Sequence, residues 1–573
     1  MKDLLDTMVE DGVLNEAALS RVRRMQAEGV GLDQALTDAG PPPEAVLPYL
    51  AETFGVPYVE PDKASIDGKL LREFPARLLL KHALLPLREE NGAVLVATGR
   101  LFDTSGLDEL RLATGRELLP ALAPASEIVR CVRQHLGVGA DTVQSLVSDA
   151  ADAGIQVVSD TDEAVDLTEG GEDASIIRLV NQVLTEAIDL RATDVHFEPF
   201  EDELRVRYRI DGVLQEAITP PEVRQFQASI VSRLKILSRL DIAEKRVPQD
   251  GRIKLIMDGR EIDVRVSVIP MLHGEAVVLR LLDRSAALLG LGSLGMSRGD
   301  EAALERICEL PHGIVLVTGP TGSGKTTTLY AALSRINDVQ RKIITIEDPI
   351  EYHLRGINQI QVATKAGLTF ARGLRSVLRH DPDVILVGEI RDIETAEIAV
   401  QASLTGHLVF STLHTNDAPG AVTRLVDMGV EPYLVASSLE AVLAQRLVRL
   451  ICPSCREAYR PAEPEALVAT FGPDVPSELY RGAGCRDCRG TGYRGRTGVF
   501  ELMPVGEQVR RLILQRASTG EIRRRALQDG MLSLRQDGWR HVLAGRTTVE
   551  EVLRVTRDER LHADGLLRLE EQS

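Results

Sequence analysis

Eight consecutive residues near the middle of the chain match the G-x-x-x-x-G-K-T pattern of a phosphate-binding loop. They are Gly319, Pro320, Thr321, Gly322, Ser323, Gly324, Lys325 and Thr326. An apolar run at 314–317 precedes them and a helix-prone run at 327–336 follows, which predicts a buried strand, a glycine-rich turn and a helix in that order. The amides of such a turn and the positive end of the helix dipole face a bound anion. This context argues against a chance match and predicts that the chain binds ATP or GTP.

The last two residues of this loop have distinct expected roles. The ammonium group of Lys325 is placed to reach the β- and γ-phosphates, and the hydroxyl of Thr326 is placed to hold Mg²⁺. Both contacts neutralise charge on a phosphoryl group that is being transferred. The sequence therefore predicts a nucleoside triphosphate and Mg²⁺ as ligands.

A carboxylate ends another predicted strand, 64 residues after Lys325. The apolar run at 384–387 predicts a buried strand, and Glu389 follows it after one glycine. Ligands of open α/β sheets lie at the carboxyl ends of the strands, so Glu389 is expected to orient the attacking water, directly or through Mg²⁺. A Glu here replaces the Asp that usually ends this strand. The alternative is a carboxylate that is merely solvated.

Two further predicted strands end in polar residues. Glu347 follows the apolar run at 343–346 and is expected to help to hold the metal shell. His407 and His414 begin and end another predicted strand segment, at 407–414, and either could contact the γ-phosphate. A structural role is equally compatible with the spacing of both histidines.

Arginines form a third group of candidates. Arg372, Arg375 and Arg379 fall along one face of a predicted helix just before the Glu389 strand. Arg280 interrupts an apolar run at 277–282, which predicts a buried guanidinium that needs an anionic partner. That partner could be an internal carboxylate or the phosphates bound by a neighbouring subunit. The residues alone favour the internal salt bridge.

Four of the six cysteines form two C-x-x-C pairs, namely Cys452, Cys455, Cys485 and Cys488. Two such pairs separated by 29 residues are typical of a tetrahedral Cys₄ zinc site. Disulfides would be reduced in a cytoplasmic protein, and a redox pair would not need duplication. The second pair also resembles the C-x-x-C-x-G-x-G zinc repeat of chaperones, which normally recurs several times. We predict one structural zinc ion, and we expect Cys131 and Cys308 to be small buried hydrophobic residues.

Composition restricts the class of protein. A chain of 573 residues is long enough for several domains, because single cores stop growing at about 250–300 residues. The net charge of −18 argues against wrapping nucleic acid as the main task. No apolar run approaches the ~18–20 residues of a membrane span, and the first residues are acidic where a secretory signal would be basic and then apolar. We therefore expect a cytoplasmic protein.

The elements that position these residues follow from hydrophobic periodicity. The first 60 residues contain a weak repeat with an offset of 28 residues, in which Met8, Gly12, Leu19 and Val22 correspond to Leu36, Gly40, Leu47 and Leu50. Each copy predicts a helix, a turn at the glycine and a second helix, so a small helical module is expected within an N-terminal domain at 1–136. The segment 137–172 is acidic and rich in small residues, which indicates a flexible linker.

Two larger domains are expected after this linker. Strand patterns at 204–210, 252–257, 261–269 and 276–282, together with helical patterns, predict an α+β domain at 173–285. From 286 onward strands and helices alternate to about 445, which is the pattern of a parallel sheet covered by helices. The remainder, to residue 573, is expected to hold the zinc subdomain at about 450–500 and then helices.

An ordered series of motifs makes nearly the whole chain resemble the assembly ATPases of type II secretion and type IV pilus machines. After the phosphate loop come Ile-Glu-Asp-Pro-Ile-Glu at 346–351 (the Asp box of that family), the atypical Walker B motif at 381–392 and the His box at 406–416. Two upstream motifs, at 194–199 and 248–252, also match. Chance agreement across all of these motifs is negligible.

The resemblance implies a multidomain α/β protein with a RecA-like ATPase core and a PAS-like domain before it. It implies a homohexamer that binds ATP, Mg²⁺ and Zn²⁺ at the cytoplasmic face of the inner membrane. The implied partners are an inner-membrane platform protein and the cytoplasmic domain of a bitopic anchoring protein, with no nucleic acid. Arg265 and Arg280 match N-domain arginines of the family that approach the nucleotide, and His414 lies in the His box.

Other features favour one branch of the family. Its pilus-retraction members lack both the long N-terminal region and the four cysteines, so assembly or secretion is favoured, and residues 547–556 fit the secretion branch. The N-terminal repeat resembles a platform-docking module that binds cyclic-di-GMP in some members. That module usually starts with Arg-Leu-Gly, whereas the Arg is absent before Leu32 here.

Three other functions stay open at this level. A type IV pilus extension motor would carry the same motifs. A nucleic-acid translocase would share the ATPase core, although the chain lacks stripes of aromatic and basic residues. A catalytically idle scaffold would bind nucleotide only, but Lys325, Thr326 and Glu389 are all present.

Overall fold

The computed structural model describes residues 4–61, 64, 66–90, 92–136, 156–157, 171–257, 260–283 and 289–556. The chain divides into two compact units, residues 1–285 and residues 286–573. No helix in these described segments is both long and apolar enough to cross a bilayer.

Four helices form the start of the first unit and confirm the predicted repeat. They are α1 (Leu4–Glu10), α2 (Glu16–Ala27), α3 (Leu32–Ala39) and α4 (Pro43–Phe54). Each copy of the repeat is one helix pair, with Gly12 or Gly40 in the turn, and equivalent residues such as Met8 and Leu36 are buried. The two pairs share one hydrophobic core.

A small three-stranded sheet follows these helices. Its elements are α5 (Gly68–Arg72), α6 (Ala76–His82), β1 (Leu84–Glu90), β2 (Ala93–Thr98), α7 (Ser105–Thr114), β3 (Leu118–Leu122) and α8 (Ala125–Leu136). The strand order is β1-β2-β3. Asp33 of α3 joins the helical part to this sheet, because its carboxylate accepts hydrogen bonds from the backbone amides of residues 101, 102 and 103 at 2.8–3.0 Å. Cys131 is buried in this core, as predicted.

The second part of this unit contains a seven-stranded antiparallel sheet. Its elements are β4 (Gln156–Val157), α9 (Gly171–Asp189), β5 (Ala192–Pro199), β6 (Leu204–Ile210), β7 (Val213–Glu216), α10 (Gln227–Leu237), β8 (Gln249–Met257), β9 (Arg260–Met271) and β10 (Gly274–Asp283). The strand order is β4-β8-β9-β10-β5-β6-β7. Alternating residues of β6 are buried, and these pack with α9 and α10 in one core. This is the expected α+β domain.

The acidic segment at 137–172 differs in part from the linker that its composition predicts. Most of it lies outside the described residues. Within it, β4 pairs with residues 255 and 256 of β8, and α9 begins at Gly171. Strand β4 and the start of α9 therefore belong to the α+β domain: β4 extends its sheet, and α9 packs into its core.

The second unit is built on a seven-stranded sheet. Its elements up to the sheet's last parallel strand are α11 (Arg298–Cys308), β11 (Gly313–Thr318), α12 (Lys325–Ile336), β12 (Ile343–Glu347), β13 (Asn358–Gln361), α13 (Phe370–Val377), β14 (Val384–Val387), α14 (Ile393–Leu404), β15 (Leu408–Leu413), α15 (Ala418–Asp427), α16 (Pro432–Ser438) and β16 (Leu439–Ile451). The order is β13-β12-β14-β15-β11-β16-β19, and only the edge strand β19 (Tyr493–Pro504) is antiparallel.

Both faces of this sheet are covered. In β11, Ile314 and Leu316 pack into one core, whereas Val315 and Val317 pack into the other. Every residue of β11, β14 and β15 is buried, which explains why these strands read as continuous apolar runs. Cys308 is fully buried, as predicted.

The end of the chain packs around the β16–β19 hairpin. Between these two strands lie β17 (Arg456–Tyr459), α17 (Pro464–Phe471) and β18 (Leu479–Gly482), and after them come α18 (Glu507–Leu514), α19 (Thr519–Gln528), α20 (Leu534–Leu543) and α21 (Val549–Val555). Phe471 stacks on Trp539 with ring centroids 4.4 Å apart. Glu551 of α21 is buried and accepts hydrogen bonds from Arg449 at 2.7 Å and from Arg554 at 2.8 Å.

The Glu551 ion pairs should make stability depend on acid. Burial opposes ionisation, but Arg554 and Arg449 outweigh it and lower the pKa of Glu551 to about 2. The carboxylate therefore stabilises the fold above the unfolded pKa of about 4.5, and this contribution disappears as the pH falls from about 4.5 to about 2. We expect Glu551→Gln to cost on the order of 3 kcal/mol at pH 7, measured by calorimetry.

The exposed neighbour Glu550 provides the matched control. Glu550→Gln should leave the melting temperature unchanged at every pH, whereas the deficit of Glu551→Gln should shrink towards pH 3. Equal melting of the two variants at pH 7 would contradict this role of Glu551.

Candidate functional site

The predicted chemical residues of the second unit converge at one edge of its sheet. Strands β12, β14, β15 and β11 are consecutive neighbours and run parallel. Their carboxyl ends lead into Glu347, Glu389, His414 and the phosphate loop, respectively. Three residues that are dispersed in sequence therefore meet the phosphate loop because the sheet is parallel.

The phosphate loop has the backbone geometry that an anion cradle needs. Gly319, Gly322 and Gly324 have φ values of +148°, +78° and +87°, which other residues rarely adopt. A Cβ on Gly319 would lie 2.5 Å from the carbonyl oxygen of Gln445. The Ser323 hydroxyl oxygen is buried and has no hydrogen-bond partner among the described residues. This orphaned oxygen and the glycine backbone fit a bound phosphate, as does α12, which begins at Lys325.

Lys325 lies folded onto its own loop. Its ammonium group donates to the carbonyl oxygens of Gly319 at 2.8 Å and Pro320 at 3.0 Å. Burial lowers the pKa of Lys325 to about 8, and although Glu389 opposes this shift, Arg446 adds to it. A bound triphosphate would stabilise the charged amine, because it would supply the missing negative charge.

Glu389 lies between the side chains of Arg391 and His414. Oε2 of Glu389 is 3.3 Å from Nε2 of His414, and Arg391 donates to Oε1. Burial raises the pKa of the Glu389 carboxyl, but Arg391 and His414 outweigh burial and hold it below its ordinary value. Glu389 is therefore ionised at neutral pH, which suits a group that accepts a hydrogen bond from water. Arg391 is a neighbour that the sequence analysis did not single out.

Glu347 occupies a different environment from the one that its expected metal role requires. It is 4% exposed. Oε1 of Glu347 accepts from Thr345 at 2.5 Å and from Gln359 at 3.1 Å, and Tyr330 donates to Oε2. Both oxygens are thus engaged by protein donors, and this arrangement does not support a place in the metal shell. The next residue, Asp348, is the exposed carboxylate at this strand end.

The two histidines lie at opposite ends of β15. His414 follows the carboxyl end and contacts Glu389, whereas His407 precedes the strand and its Nδ1 lies 2.8 Å from the carbonyl oxygen of Ala402. His407 therefore serves the local structure at the far edge of the sheet. His414 is half exposed and is the histidine that the structure brings to the site.

The three arginines before the Glu389 strand make local contacts. Arg375 pairs with Glu394 at 2.5 Å, Arg379 donates to the carbonyl of Arg375, and Arg372 donates to the carbonyl of Gly367. All three are on or just after α13, and these contacts lie outside the phosphate loop.

Arg265 and Arg280 belong to the first unit and lie directly opposite each other on β9 and β10. The expectation that Arg280 is buried is wrong, since its side chain is 52% exposed on the face of the sheet that the helices leave open. The apolar run misled because only alternate residues of β10 point to the core. The internal carboxylate is present, however, because Nε of Arg280 donates to Oδ1 of Asp194 at 3.0 Å.

The four predicted zinc ligands form one cluster. Their sulfur atoms all lie within 4.8 Å of one another, and the sulfurs of Cys452 and Cys485 are 3.7 Å apart. Tetrahedral Zn–S bonds of about 2.3 Å place the sulfurs about 3.8 Å apart, so the spacing fits zinc. The backbone amides of Cys485 and Gly492 also donate to the sulfur of Cys488. All four cysteines are free of disulfides.

Comparisons with known proteins agree with this architecture. The sequence profile of the family described as "Type II/IV secretion system protein" matches residues 169–554. A second profile, described as "MshEN domain", matches residues 54–141. The first match covers more than half of the chain, including the whole site and the cysteine cluster.

Individual relatives support the same assignment. Type II secretion system protein E of Pseudomonas aeruginosa is 59% identical over 397 residues, which are 69% of this chain and 78% of that protein. Two relatives match nearly end to end: type II secretion system protein E of Xanthomonas campestris is 44% identical over 97% of this chain and 98% of its own length, and the type IV pilus assembly ATPase PilB of Myxococcus xanthus is 41% identical over 97% and 99%. The chain thus belongs to the type II/IV secretion system protein family and is an ATPase.

Proposed function

We propose that the chain forms a hexamer that hydrolyses ATP to ADP and phosphate and thereby drives pseudopilus assembly for protein secretion. The observation that carries the proposal is the carboxylate of Glu389, which lies next to His414 at the edge of the sheet that carries the phosphate loop. The names of the similar proteins from P. aeruginosa and X. campestris support the secretion assignment.

The proposed mechanism uses residues of the second unit for binding and hydrolysis. The phosphate-loop amides and Lys325 hold the β- and γ-phosphates, and Thr326 holds Mg²⁺, which neutralises phosphate charge when bound. Glu389 orients the attacking water and accepts its hydrogen bond, while Arg391 keeps the carboxylate charged. His414 keeps the same carboxylate in place, and in this mechanism it also senses the γ-phosphate.

Two arginines of the first unit are proposed to act within the ring. Arg265 and Arg280 would close onto the phosphates only in ATP-loaded subunits, and binding would then rotate their domain against the ATPase core. This rotation would push on an inner-membrane platform protein, with a bitopic anchoring protein holding the ring at the cytoplasmic face. The exposure of Arg280 supports this role, since a guanidinium in solvent can change partners.

Type IV pilus extension is the second candidate function. It is favoured by the end-to-end match to the pilus assembly ATPase of M. xanthus. Restoring exoprotein secretion in a strain that lacks this chain would support the first proposal, whereas restoring pili alone would support the second. Stimulation of the ATPase by DNA would instead support a nucleic-acid translocase.

Two substitutions should separate binding from hydrolysis. Lys325→Ala should abolish hydrolysis and sharply weaken ATP binding, because a charge-assisted phosphate contact is lost. Glu389→Gln should retain ATP binding and lose turnover, since only the orientation of water is removed. Both are measured by phosphate release and by equilibrium binding of labelled ATP. Near wild-type hydrolysis by Glu389→Gln would show that Glu389 is not the catalytic carboxylate.

ATP binding should weaken in alkali. Lys325 attracts the phosphates only when its amine is protonated. Its pKa of about 8 means that the proton is lost within an accessible range of pH. ATP affinity should be nearly constant below pH 7 and should fall up to about tenfold per pH unit above pH 8. AMP lacks the phosphates that Lys325 contacts, so its affinity is the control. An ATP affinity that stays level up to pH 9.5 would contradict the expectation.

Zinc should be part of the folding energy of the segment at about 450–500. Cys452→Ser and Cys485→Ser should release the metal and lower the melting temperature, because a thiolate ligand is lost from a small subdomain. Metal analysis should find one zinc ion per wild-type chain. The control is Cys131→Ser, which lies outside the cluster and should keep the zinc. Wild-type protein purified without chelators that contains no zinc would remove the proposal.

A further inference from the structure

Arg446 lies beside the phosphate loop, although no sequence motif drew attention to it. It is on β16, the strand next to β11. One guanidinium nitrogen donates to the carbonyl of Gln445 at 3.0 Å, and the other donates to the carbonyl of Asn416 at 2.9 Å. A Cβ on Gly319 would come within 3.1 Å of the first nitrogen, so the guanidinium packs against the first residue of the phosphate loop.

Asn416 belongs to the loop that carries His414. This loop, residues 414–417, connects β15 to α15 and is fastened at three points. Thr318, at the end of β11, accepts from the backbone amide of Thr415 at 2.9 Å, and the two hydroxyl oxygens are 2.7 Å apart. Asp417 caps α15 by accepting from the amide of Gly420 at 2.7 Å. Arg446 provides the third point.

Two carboxylates among the described residues act on the charge of Arg446 without accepting a hydrogen bond from it. Burial lowers the pKa of the guanidinium, whereas the carboxylates of Glu501 and Asp417 oppose the shift. Arg523 already pairs with Asp417, and Glu501 accepts from the amides of Ala418 and Leu534. The hydrogen bonds that Arg446 itself makes go to two backbone carbonyls and, at 3.4 Å, to the side chain of Asn416. One arm of the planar fork is thus held by the preceding residue of its own strand, while the other arm reaches the 414–417 loop, an arrangement that an ammonium group could not reproduce equally well.

We propose that Arg446 is a positioning residue for ATP hydrolysis, which holds the 414–417 loop against the phosphate loop and so keeps His414 at Glu389. His414 has a half-exposed side chain and depends on its backbone for placement. Glu389 and the phosphate loop follow β14 and β11, the strands on either side of the strand that leads into this loop. Loss of the bridge would let the loop shift while the phosphate loop keeps its own contacts. The inference rests on the proposed hydrolytic function.

The experiment compares Arg446→Met and Arg446→Lys with the wild-type chain. Met keeps the volume of the side chain but removes the charge and both donors, whereas Lys keeps the charge and can reach only one carbonyl. We expect Met to lower kcat on the order of ten- to a hundredfold, with KM for ATP changed less than about threefold. Lys should also lower kcat, although by less.

The pH dependence of ATP binding separates the bridge from the charge. Arg446 contributes to the low pKa of Lys325, so Met should move the alkaline loss of ATP affinity to higher pH, whereas Lys should leave it in place. A Lys variant with the wild-type pH dependence and a reduced kcat supports positioning. Arg525→Gln is the matched control, because Arg525 lies partly exposed on α19 and pairs with Asp529, the residue that follows this helix.

Two results would overturn the proposal. A Met variant with wild-type kcat overturns the proposal, and so does a Lys variant with full activity, since charge alone would then suffice. If Met unfolds, the kcat of the folded Lys variant decides. The ATPase activity of the wild-type chain is measured first. If the wild-type chain does not hydrolyse ATP, the proposed function itself is overturned.

Discussion

Burial of the ATPase sheet on both faces is the constraint on which the rest of the second unit depends. Alternate residues of β11 enter two different hydrophobic cores, so neither face can carry polar chemistry. Polar groups can therefore be placed only at the ends of the strands, and in a parallel sheet the carboxyl ends of the strands lie together at one edge. The phosphate loop, Glu389 and His414 meet for this reason and not because they are close in sequence.

The same constraint decides how much could be predicted. A fully buried strand followed by glycine is visible in one sequence, so the phosphate loop and Glu389 could be located beforehand. The cysteine cluster could be located from the spacing of its two C-x-x-C pairs. Their partners could not. Arg446 lies about 120 residues after the loop that it touches, and only the pairing of β16 with β11 brings the two together. Glu347 looked like a metal ligand because the sequence does not show that Tyr330, Thr345 and Gln359 surround it.

Carboxylates inside the second unit are stabilised in two different ways. Glu551 is held by two arginines and stays charged to low pH. Glu501 accepts from the first amides of α15 and α20, but burial outweighs these bonds and raises the pKa of its carboxyl. Helix ends can thus satisfy the hydrogen bonds of a buried carboxylate without fully compensating its charge. Glu501 therefore joins the first residues of α15 and α20. The guanidinium of Arg446 instead contacts backbone carbonyls.

The register of the β16–β19 hairpin has a consequence for how this architecture can vary. Ile451 pairs directly with Tyr493, so the whole cysteine-containing segment leaves the sheet and returns to it at one position. Such an excursion is topologically an insertion, and a tight turn could replace it without shifting the register of a single strand. Trp539 would then lose its stacking partner Phe471. The cysteine-containing segment can therefore be gained or lost without a change in the sheet of the ATPase core.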